Sequence, residues 1–161
     1  MMLASACAVR DRERMRAEES QNEIAHRVIG CSMAVHRRIG PGCFESAYAP
    51  CLAHELARCG LRFEVDVMMD LMYDELTVPR AYRIDFIVED CVVLELKALE
   101  QTGRVHGRQV LTYLKLTGLA LGLLLNFGAP TMRDGVERVV NNFPGGTEPI
   151  GRRSIAAAPS R

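Results

Sequence analysis

Three charged side chains interrupt two apolar runs that are otherwise typical of neighbouring β-strands. In the stretch RIDFIVEDCVVLELKALE, residues 83–100, they are Asp85 in the first run and Glu95 and Lys97 in the second. Because successive side chains of a strand point to opposite faces, Glu95 and Lys97 share a face, with their Cα atoms about 7 Å apart. Charges set among apolar neighbours are partly removed from water, which costs on the order of several kcal/mol each unless something offsets it.

The loop between the two runs decides whether the two carboxylates meet. A two-residue loop would pair Asp85 with Leu94 and turn Asp85 to the wrong face of the sheet. A loop of three residues, 89–91, or a bulge, would pair Asp85 with Glu95 instead. We predict the three-residue loop or the bulge, and carboxylates on opposite faces would exclude a shared metal site.

Two carboxylates and a lysine that converge in a partly dry place match the needs of a hard divalent cation. An ion pair that merely faces water is worth about 0–1 kcal/mol, so full exposure would leave the arrangement without special meaning. In a desolvated site, Mg²⁺ or Mn²⁺ would offset the charge, bound by Asp85, Glu95, water and the main-chain carbonyl of Leu96. Lys97 is one of two lysines among 20 basic residues, and lysine is a side chain whose pKa shifts readily on burial.

Polar residues on two predicted helices point towards the same place. Glu45 lies on the margin of the apolar stripe of one helix, and His106, Gln109 and Tyr113 form a polar stripe on the helix that follows the charged strands. Taken singly, Glu45 is also explained as a helix-surface acid, His106 as a boundary histidine and Tyr113 as a packing tyrosine. Both explanations remain open for each residue.

The elements that must position these side chains alternate between helices and strands. The capping box SQNE at 20–23 predicts a helix that ends at RRIGPG, and a second helix is predicted over about 44–59. Its predicted apolar stripe is Phe44, Tyr48, Cys51 or Leu52, and Leu56. Strands are predicted at 61–73, 82–88, 92–99, 119–127 and 136–142, with a helix at 104–116. The connection from strand 92–99 through that helix to strand 119–127 is a crossover, which makes those strands parallel in a mixed α/β sheet.

Composition bounds the function and the compartment. The chain has 161 residues with 48% apolar content, which suits one domain, predicted at 20–143 between a weakly ordered extension at 1–19 and a flexible tail at 144–161. The net charge is zero, so any nucleic-acid site must be local. Six cysteines without a C-x-x-C pair favour reduced thiols in a cytoplasmic protein over disulfides or zinc, and Cys51 and Cys59 are predicted as small core residues. No apolar run approaches the roughly 20 residues that span a bilayer.

The ordered motifs resemble those of the GxxExxY protein family, which belongs to the PD-(D/E)XK nuclease-like superfamily. The motif GCFESAY at 42–48 has VHRRIGPG before it and ELARCGL after it. YRIDFIV, VVLELKALE, H-x-x-Q-x-x-x-Y-L-K from His106, GLLLNFG and DGVERVVNN follow, so the resemblance covers roughly residues 23–142. It implies a restriction-endonuclease-like core of order α-β-β-β-α-β, to which the first predicted helix is an addition.

The same resemblance implies a role for each candidate residue. Asp85 would be the acidic residue of the middle strand, and 95–97 would be the (D/E)-x-K motif, with Lys97 catalytic. Glu45 would be the first-helix acid, and Gln109 and Tyr113 would flank the site. Two positions depart from the superfamily pattern: isoleucine stands at 84 where a proline is usual, and YDEL at 73–76 lacks a glycine that often follows the tyrosine.

Three functions from different classes remain open at this point. The leading hypothesis is Mg²⁺-dependent hydrolysis of phosphodiester bonds in DNA or RNA. The second is a non-catalytic module of the same fold that binds nucleic acid or a protein partner, which the neutral charge and the missing basic stripe favour. A local basic patch remains available from Arg37, Arg38, Arg80, Arg83, Arg104 and Arg108. The third is a small homodimer whose polar face is simply an interface.

Overall fold

A computed structural model describes the backbone of residues 3–141 and 149–154, and the side chains from residue 20 onward within those ranges. Within them the helices are α1 (Leu3–Ile39), α2 (Glu45–Arg58), α3 (Arg104–Thr117) and the short α4 (Met132–Gly135). The strands are β1 (Phe63–Tyr73), β2 (Leu76–Val88), β3 (Val92–Lys97), β4 (Leu121–Asn126), β5 (Val136–Val140) and β6 (Gly151–Arg153).

The strands form one mixed sheet in the order β5-β4-β3-β2-β1-β6. β3 and β4 are parallel, joined by the crossover helix α3, and the other neighbouring strands are antiparallel. The prediction of a mixed α/β sheet with a parallel crossover is therefore confirmed. The order α2, β1, β2, β3, α3, β4 is the predicted α-β-β-β-α-β core, and α1 is the additional N-terminal helix.

Helices cover both faces of the sheet, so β3 is buried on two sides. Leu94 and Leu96 pack in the core cluster that includes Val28 of α1 and Leu52 of α2. Val93, on the other face, packs in a second cluster with Leu114 of α3. A strand covered on both faces reads as a continuous apolar run, and this explains why a charge within β3 is conspicuous.

The hairpin between β2 and β3 has a loop of the predicted length. Val88 pairs with Val92 and Phe86 with Leu94, which leaves residues 89–91 as a three-residue loop. The first two loop residues have φ values of 49° and 54°, and the N–H of Cys91 donates to the carbonyl of Val88 at 3.0 Å. The predicted three-residue loop is therefore confirmed, and the paired residues end at Phe86 and Leu94, one position before Asp85 and Glu95.

Ile84 on β2 departs from the regular alternation of strand side chains. Regular alternation puts Ile84 and Phe86 on the same face, but Phe86 packs in the cluster under α1 and α2, whereas Ile84 packs in the cluster under α3. The break coincides with Asp66 on β1, whose φ is 53°. Val65 and Val67, on either side of Asp66, pair with Phe86 and Ile84, so the left-handed residue lies opposite the point where the side chains of β2 change face.

Two predicted boundaries are wrong. α1 begins at Leu3 and runs through the capping box at 20–23, so Ser20 lies inside the helix and does not start it. Part of the predicted tail is a strand, because β6 pairs with β1 through Met69↔Arg153 and Leu71↔Gly151. The rest of that tail, residues 144–148 and 155–161, lies outside the described residues, as do residues 1 and 2.

A buried carboxylate on β1 explains why β6 docks there. Asp70 accepts the backbone N–H of Arg80 at 2.8 Å, the hydroxyl of Ser154, and the guanidinium of Arg152 at 3.4 Å. These hydrogen bonds lower the pKa of Asp70, the bond from Ser154 having the largest effect. A Cβ at Gly151 would lie 2.8 Å from the carbonyl oxygen of Asp70, so glycine permits the close approach of the strand.

The apolar stripe of α2 is shorter than predicted. Tyr48, Leu52 and Leu56 are fully buried, whereas Phe44 is 86% exposed and stands at the N-cap position, before the first helical turn. The residue before a helix has extended backbone, here with φ −71° and ψ 152°, so its side chain does not continue the helical stripe.

Candidate active site

Asp85 lies where β2 and β3 separate. The paired residues of the two strands end at Phe86 and Leu94. Beyond that point Oδ2 of Asp85 accepts the backbone N–H of Leu96 at 2.8 Å, so the carboxylate replaces a backbone acceptor. The side chain of Asp85 is thereby held at the mouth of a gap between two strands rather than free in solvent.

Leu96 contributes its main chain to the same gap. The N–H and C=O of one strand residue point to the same side, so the carbonyl of Leu96 faces β2, as its N–H does. Its side chain lies in the core under α1 and α2. The position thus combines a buried apolar side chain with a main-chain N–H that holds the carboxylate of Asp85.

Glu95 is 3% exposed and carries a buried oxygen without a partner. Its Oε1 accepts the ammonium of Lys97, while Oε2 has no hydrogen-bond partner among the described residues. Burial raises the pKa of Glu95 to about 7, the ammonium of Lys97 lowers it, and the carboxylates of Asp85 and Glu45 raise it further. An orphaned buried carboxylate oxygen is costly, and a proton or a cation relieves the cost.

Lys97 ends β3, with 15% of its side chain exposed and its ammonium on Glu95. Its carbonyl accepts the N–H of Phe127 at 2.8 Å. Asn126, buried beside it on β4, accepts the N–H of Leu99 and donates to the carbonyl of Leu99, both at 2.9 Å. The chain on the far side of Lys97 is therefore fastened to β4, and this fixes the direction in which the lysine leaves the sheet.

The sequence analysis missed Asn126, although a signal was present. It is the one polar residue in the run LALGLLLNF. A lone amide at the end of a buried strand needs hydrogen-bond partners, and here its Oδ1 also accepts the N–H of Gly128 at 3.2 Å.

α3 brings a hydrogen-bonded pair to the site. Nε2 of Gln109 donates to the hydroxyl of Tyr113 at 2.7 Å. Burial raises the pKa of Tyr113 to about 12; the bond from Gln109 lowers it, and the charges of Glu95 and Asp85 raise it. The hydroxyl accepts from Gln109 and keeps its own proton, so it remains a donor.

His106, in contrast, has a structural role in this arrangement. Its Nδ1 accepts the backbone N–H of Gly103 at 2.9 Å, which caps the first turn of α3. The boundary interpretation of this histidine fits the observed contact.

An open cavity of about 520 Å³ on the side of α2 reaches Asp85 and Leu96, whereas Glu95, Lys97, Gln109 and Tyr113 are not part of its lining. Glu45, the first residue of α2, lines it together with Asp66, Arg83, Asp85 and Leu96. Arg83 belongs to the arginine patch suggested by the sequence, and its guanidinium lies 3.5 Å from Asp66. The cavity therefore presents both signs of charge, with the carboxylate of Asp85 on its wall.

The donor set fits a hard cation that keeps much of its water. Among the described residues, no three or more His, Cys, Asp or Glu side chains gather as a complete ligand group. Asp85, the unpartnered Oε2 of Glu95 and the carbonyl of Leu96 supply two carboxylates and one neutral oxygen. Mg²⁺ is usually held by one or two carboxylates with waters and substrate phosphates completing its shell.

The chain belongs to the PD-(D/E)XK nuclease superfamily, whose family model matches residues 22–139. That span contains every residue of the candidate site, and the mixed sheet is the restriction-endonuclease-like fold expected for the superfamily. No curated protein and no solved structure matches the chain significantly. Among the described residues, none of the helices combines the length and apolar character that crossing a bilayer requires.

Proposed function

We propose that the chain is a metal-dependent nuclease that hydrolyses phosphodiester bonds in DNA or RNA. The observation that carries the proposal is the buried, unpartnered Oε2 of Glu95, beside Lys97 and close enough to Asp85 for that carboxylate to raise the pKa of Glu95. A buried carboxylate oxygen without a hydrogen-bond partner destabilises the fold, and a bound divalent cation would compensate its negative charge.

Each residue would have a separate part in the reaction. Asp85, Glu95 and the carbonyl of Leu96 would hold Mg²⁺ or Mn²⁺. When bound, the cation polarises the scissile phosphate and lowers the pKa of a water molecule. Lys97, kept in place by Glu95, orients the attacking water and stabilises negative charge on the phosphate.

The helices supply the remaining polar groups. Glu45 would bind a second cation directly or through water from its place at the start of α2. Tyr113 donates its hydroxyl proton to water or phosphate, and Gln109 sets the orientation of that hydroxyl. The raised pKa of Tyr113 keeps its proton in place across the working pH range.

Purified protein with Mg²⁺ or Mn²⁺ and labelled single- and double-stranded DNA and RNA tests the proposal. Cleavage should disappear with EDTA, and Lys97→Ala and Asp85→Asn should each abolish it. Matched controls are Lys115→Ala, which changes the other lysine, and Asp74→Asn, in the exposed turn between β1 and β2; both should retain activity. Cleavage that survives both site substitutions comes from a contaminant and refutes the proposal.

The second candidate is a non-catalytic binding module of the same fold. The zero net charge and the pairing of Arg83 with Asp66 favour it, because a nuclease for long polyanions usually carries unpaired basic residues near its cleft. Calorimetric titration with Mn²⁺ distinguishes the two. Binding that vanishes in Glu95→Gln supports the enzyme, and no binding at millimolar metal supports the module.

We also propose a finer classification and a compartment. The motif GCFESAY at 42–48 supports membership of the GxxExxY proteins within the superfamily. The free thiols of the described cysteines support a cytoplasmic location. Sedimentation of the purified protein would separate a monomer from the homodimer considered above.

A further inference from the structure

Two cysteines far apart in sequence meet where α1 packs against the end of α2. The sulfur atoms of Cys31 and Cys59 lie 3.2 Å apart. Cys31 is buried in α1, whereas Cys59 is exposed at the C-cap position of α2. The earlier expectation that Cys59 is a small core residue is therefore wrong, because the helix ends at Arg58 and leaves the next side chain at the surface.

Two further contacts hold this junction in place. The guanidinium of Arg27 donates to the carbonyl of Cys59, and the thiol of Cys31 lies 3.6 Å from the carbonyl of Glu55. The two thiols are thus brought together by helix packing. Closing the remaining gap to a disulfide bond of about 2.05 Å requires a movement of roughly 1 Å, which side-chain rotation supplies.

We propose that Cys31 and Cys59 are a thiol–disulfide exchange site, which a small-molecule disulfide converts to an intramolecular disulfide. The exposed Cys59 thiolate attacks the reagent RSSR, forms a mixed disulfide and releases one RS⁻, which takes up the proton that Cys59 lost. Cys31 then gives up its proton, attacks the Cys59 sulfur and releases the second RS⁻, which takes up that proton. Two protein thiols are oxidised by two electrons, and RSSR is reduced to two RSH.

The surroundings of the two sulfurs set the order of these steps. Burial raises the pKa of Cys31 to about 12, and the neighbouring Cys59 raises it further. A buried thiol with little thiolate is a poor first nucleophile, whereas the exposed Cys59 is accessible to the reagent. Once the mixed disulfide stands 3.2 Å away, proximity compensates for the low thiolate fraction of Cys31.

The bond would tie α1 to α2 and shorten the free chain between them. The closed segment runs from residue 31 to residue 59 and contains the loop before Glu45. A disulfide across a segment of this length restricts the unfolded chain and raises the melting temperature on the order of 10 °C. This inference does not depend on the proposed nuclease activity.

The full chain, folded and without denaturant, is incubated with oxidised glutathione and analysed by intact mass and tryptic mapping. We expect the loss of two hydrogen atoms per chain and a linked pair of peptides, 28–37 and 59–62. The melting temperature should rise by roughly 10 °C and should return to its original value when dithiothreitol is added. Linkage between other cysteines, or oxidation only after unfolding, would overturn the proposal.

Single substitutions separate the two steps. Cys59→Ser should remain unmodified at Cys31, and Cys31→Ala should stop at a glutathione adduct on Cys59. Cys51→Ser, the matched control on the same helix as Glu55, should still form the bond. If Cys31 in Cys59→Ser reacts with glutathione as fast as Cys59 does in Cys31→Ala, the proposed order of the steps is wrong. If the wild-type chain stops at the glutathione adduct and forms no disulfide, the proposed exchange site is wrong.

Discussion

Replacing Glu95 with glutamine removes a carboxylate that the metal-free fold holds at a cost. The side chain is 3% exposed and one of its oxygens has no hydrogen-bond partner. Its pKa is about 7 in the folded chain, compared with 4.5 for an unperturbed glutamate. Between these two pKa values the folded state therefore holds a proton on Glu95 that the unfolded state has already released, and the contribution of Glu95 to stability is largest at low pH.

The size of the effect follows from these two values. As the pH rises from 5 to 8, a carboxyl with pKa 4.5 unfolded and about 7 folded lowers the free energy of unfolding by about 2.5 kcal/mol. The loss accumulates between the unfolded and folded pKa values and levels off above pH 7. For a domain of this size, about 2.5 kcal/mol corresponds to roughly 5–10 °C in melting temperature.

Urea denaturation in EDTA at pH 5 and pH 8, for the wild type and Glu95→Gln, measures this contribution. The contribution of Glu95 to the fall in the free energy of unfolding between pH 5 and pH 8, about 2.5 kcal/mol, should be absent from the variant. Comparing pH differences cancels the pH-independent cost of leaving Lys97 without its partner. Glu75→Gln, in the exposed turn between β1 and β2, is the matched control and should behave as the wild type.

Metal provides a second arm of the same experiment. At pH 8, millimolar Mg²⁺ should stabilise the wild type and leave Glu95→Gln unchanged, since only a ligand that binds the folded state shifts unfolding. Equal pH dependence in the wild type and Glu95→Gln would refute the reasoning, because it would mean that Glu95 is hydrated or ionised at no cost.

Further substitutions test the site and the packing. Tyr113→Phe removes the hydroxyl and keeps the ring, so we expect cleavage to fall about tenfold while stability changes by less than about 1 kcal/mol; an unchanged rate would contradict a positioning role. Phe44→Ala should change the free energy of unfolding by at most about 0.5 kcal/mol, whereas Tyr48→Ala should lower it by about 3–5 kcal/mol. Equal losses of stability in urea denaturation would show that Phe44 is packed. Asn126→Ala should cost about 2–4 kcal/mol in the same assay, because both backbone groups of Leu99 lose their partner, and a neutral result would contradict that contact.

Local pattern was enough to predict the arrangement of the charged hairpin. The alternation of strand side chains put Glu95 and Lys97 on one face, and counting back from them required a three-residue loop for Asp85 to join them. The observed register has that loop. The shared face of Glu95 and Lys97 and the length of the loop both depend on the spacing of residues within a segment of 15, so they can be read from the sequence.

Side chains that depend on distant partners could not be predicted in the same way. Ile84 changes face where the paired strand has a left-handed residue, Asp66. β6 is three residues long and pairs with β1 around Asp70, a buried carboxylate about 80 positions earlier that accepts hydrogen bonds from Arg152 and Ser154. The sequence near Ile84 and near β6 carries no signal of these distant residues.

The sequence by itself determined the period of each strand, the crossover between β3 and β4, and therefore which carboxylates could share a face. Only the tertiary structure decided how far Glu95 is removed from water, because its burial depends on elements that pack against β3. The tertiary structure likewise decided that Glu45 of α2 comes close enough to raise the pKa of Glu95. It also decided that the thiols of Cys31 and Cys59 meet, since helix packing joins residues that no local pattern connects. Spacing along the chain sets which atoms are able to meet, whereas the free energy of packing sets which of them lose water.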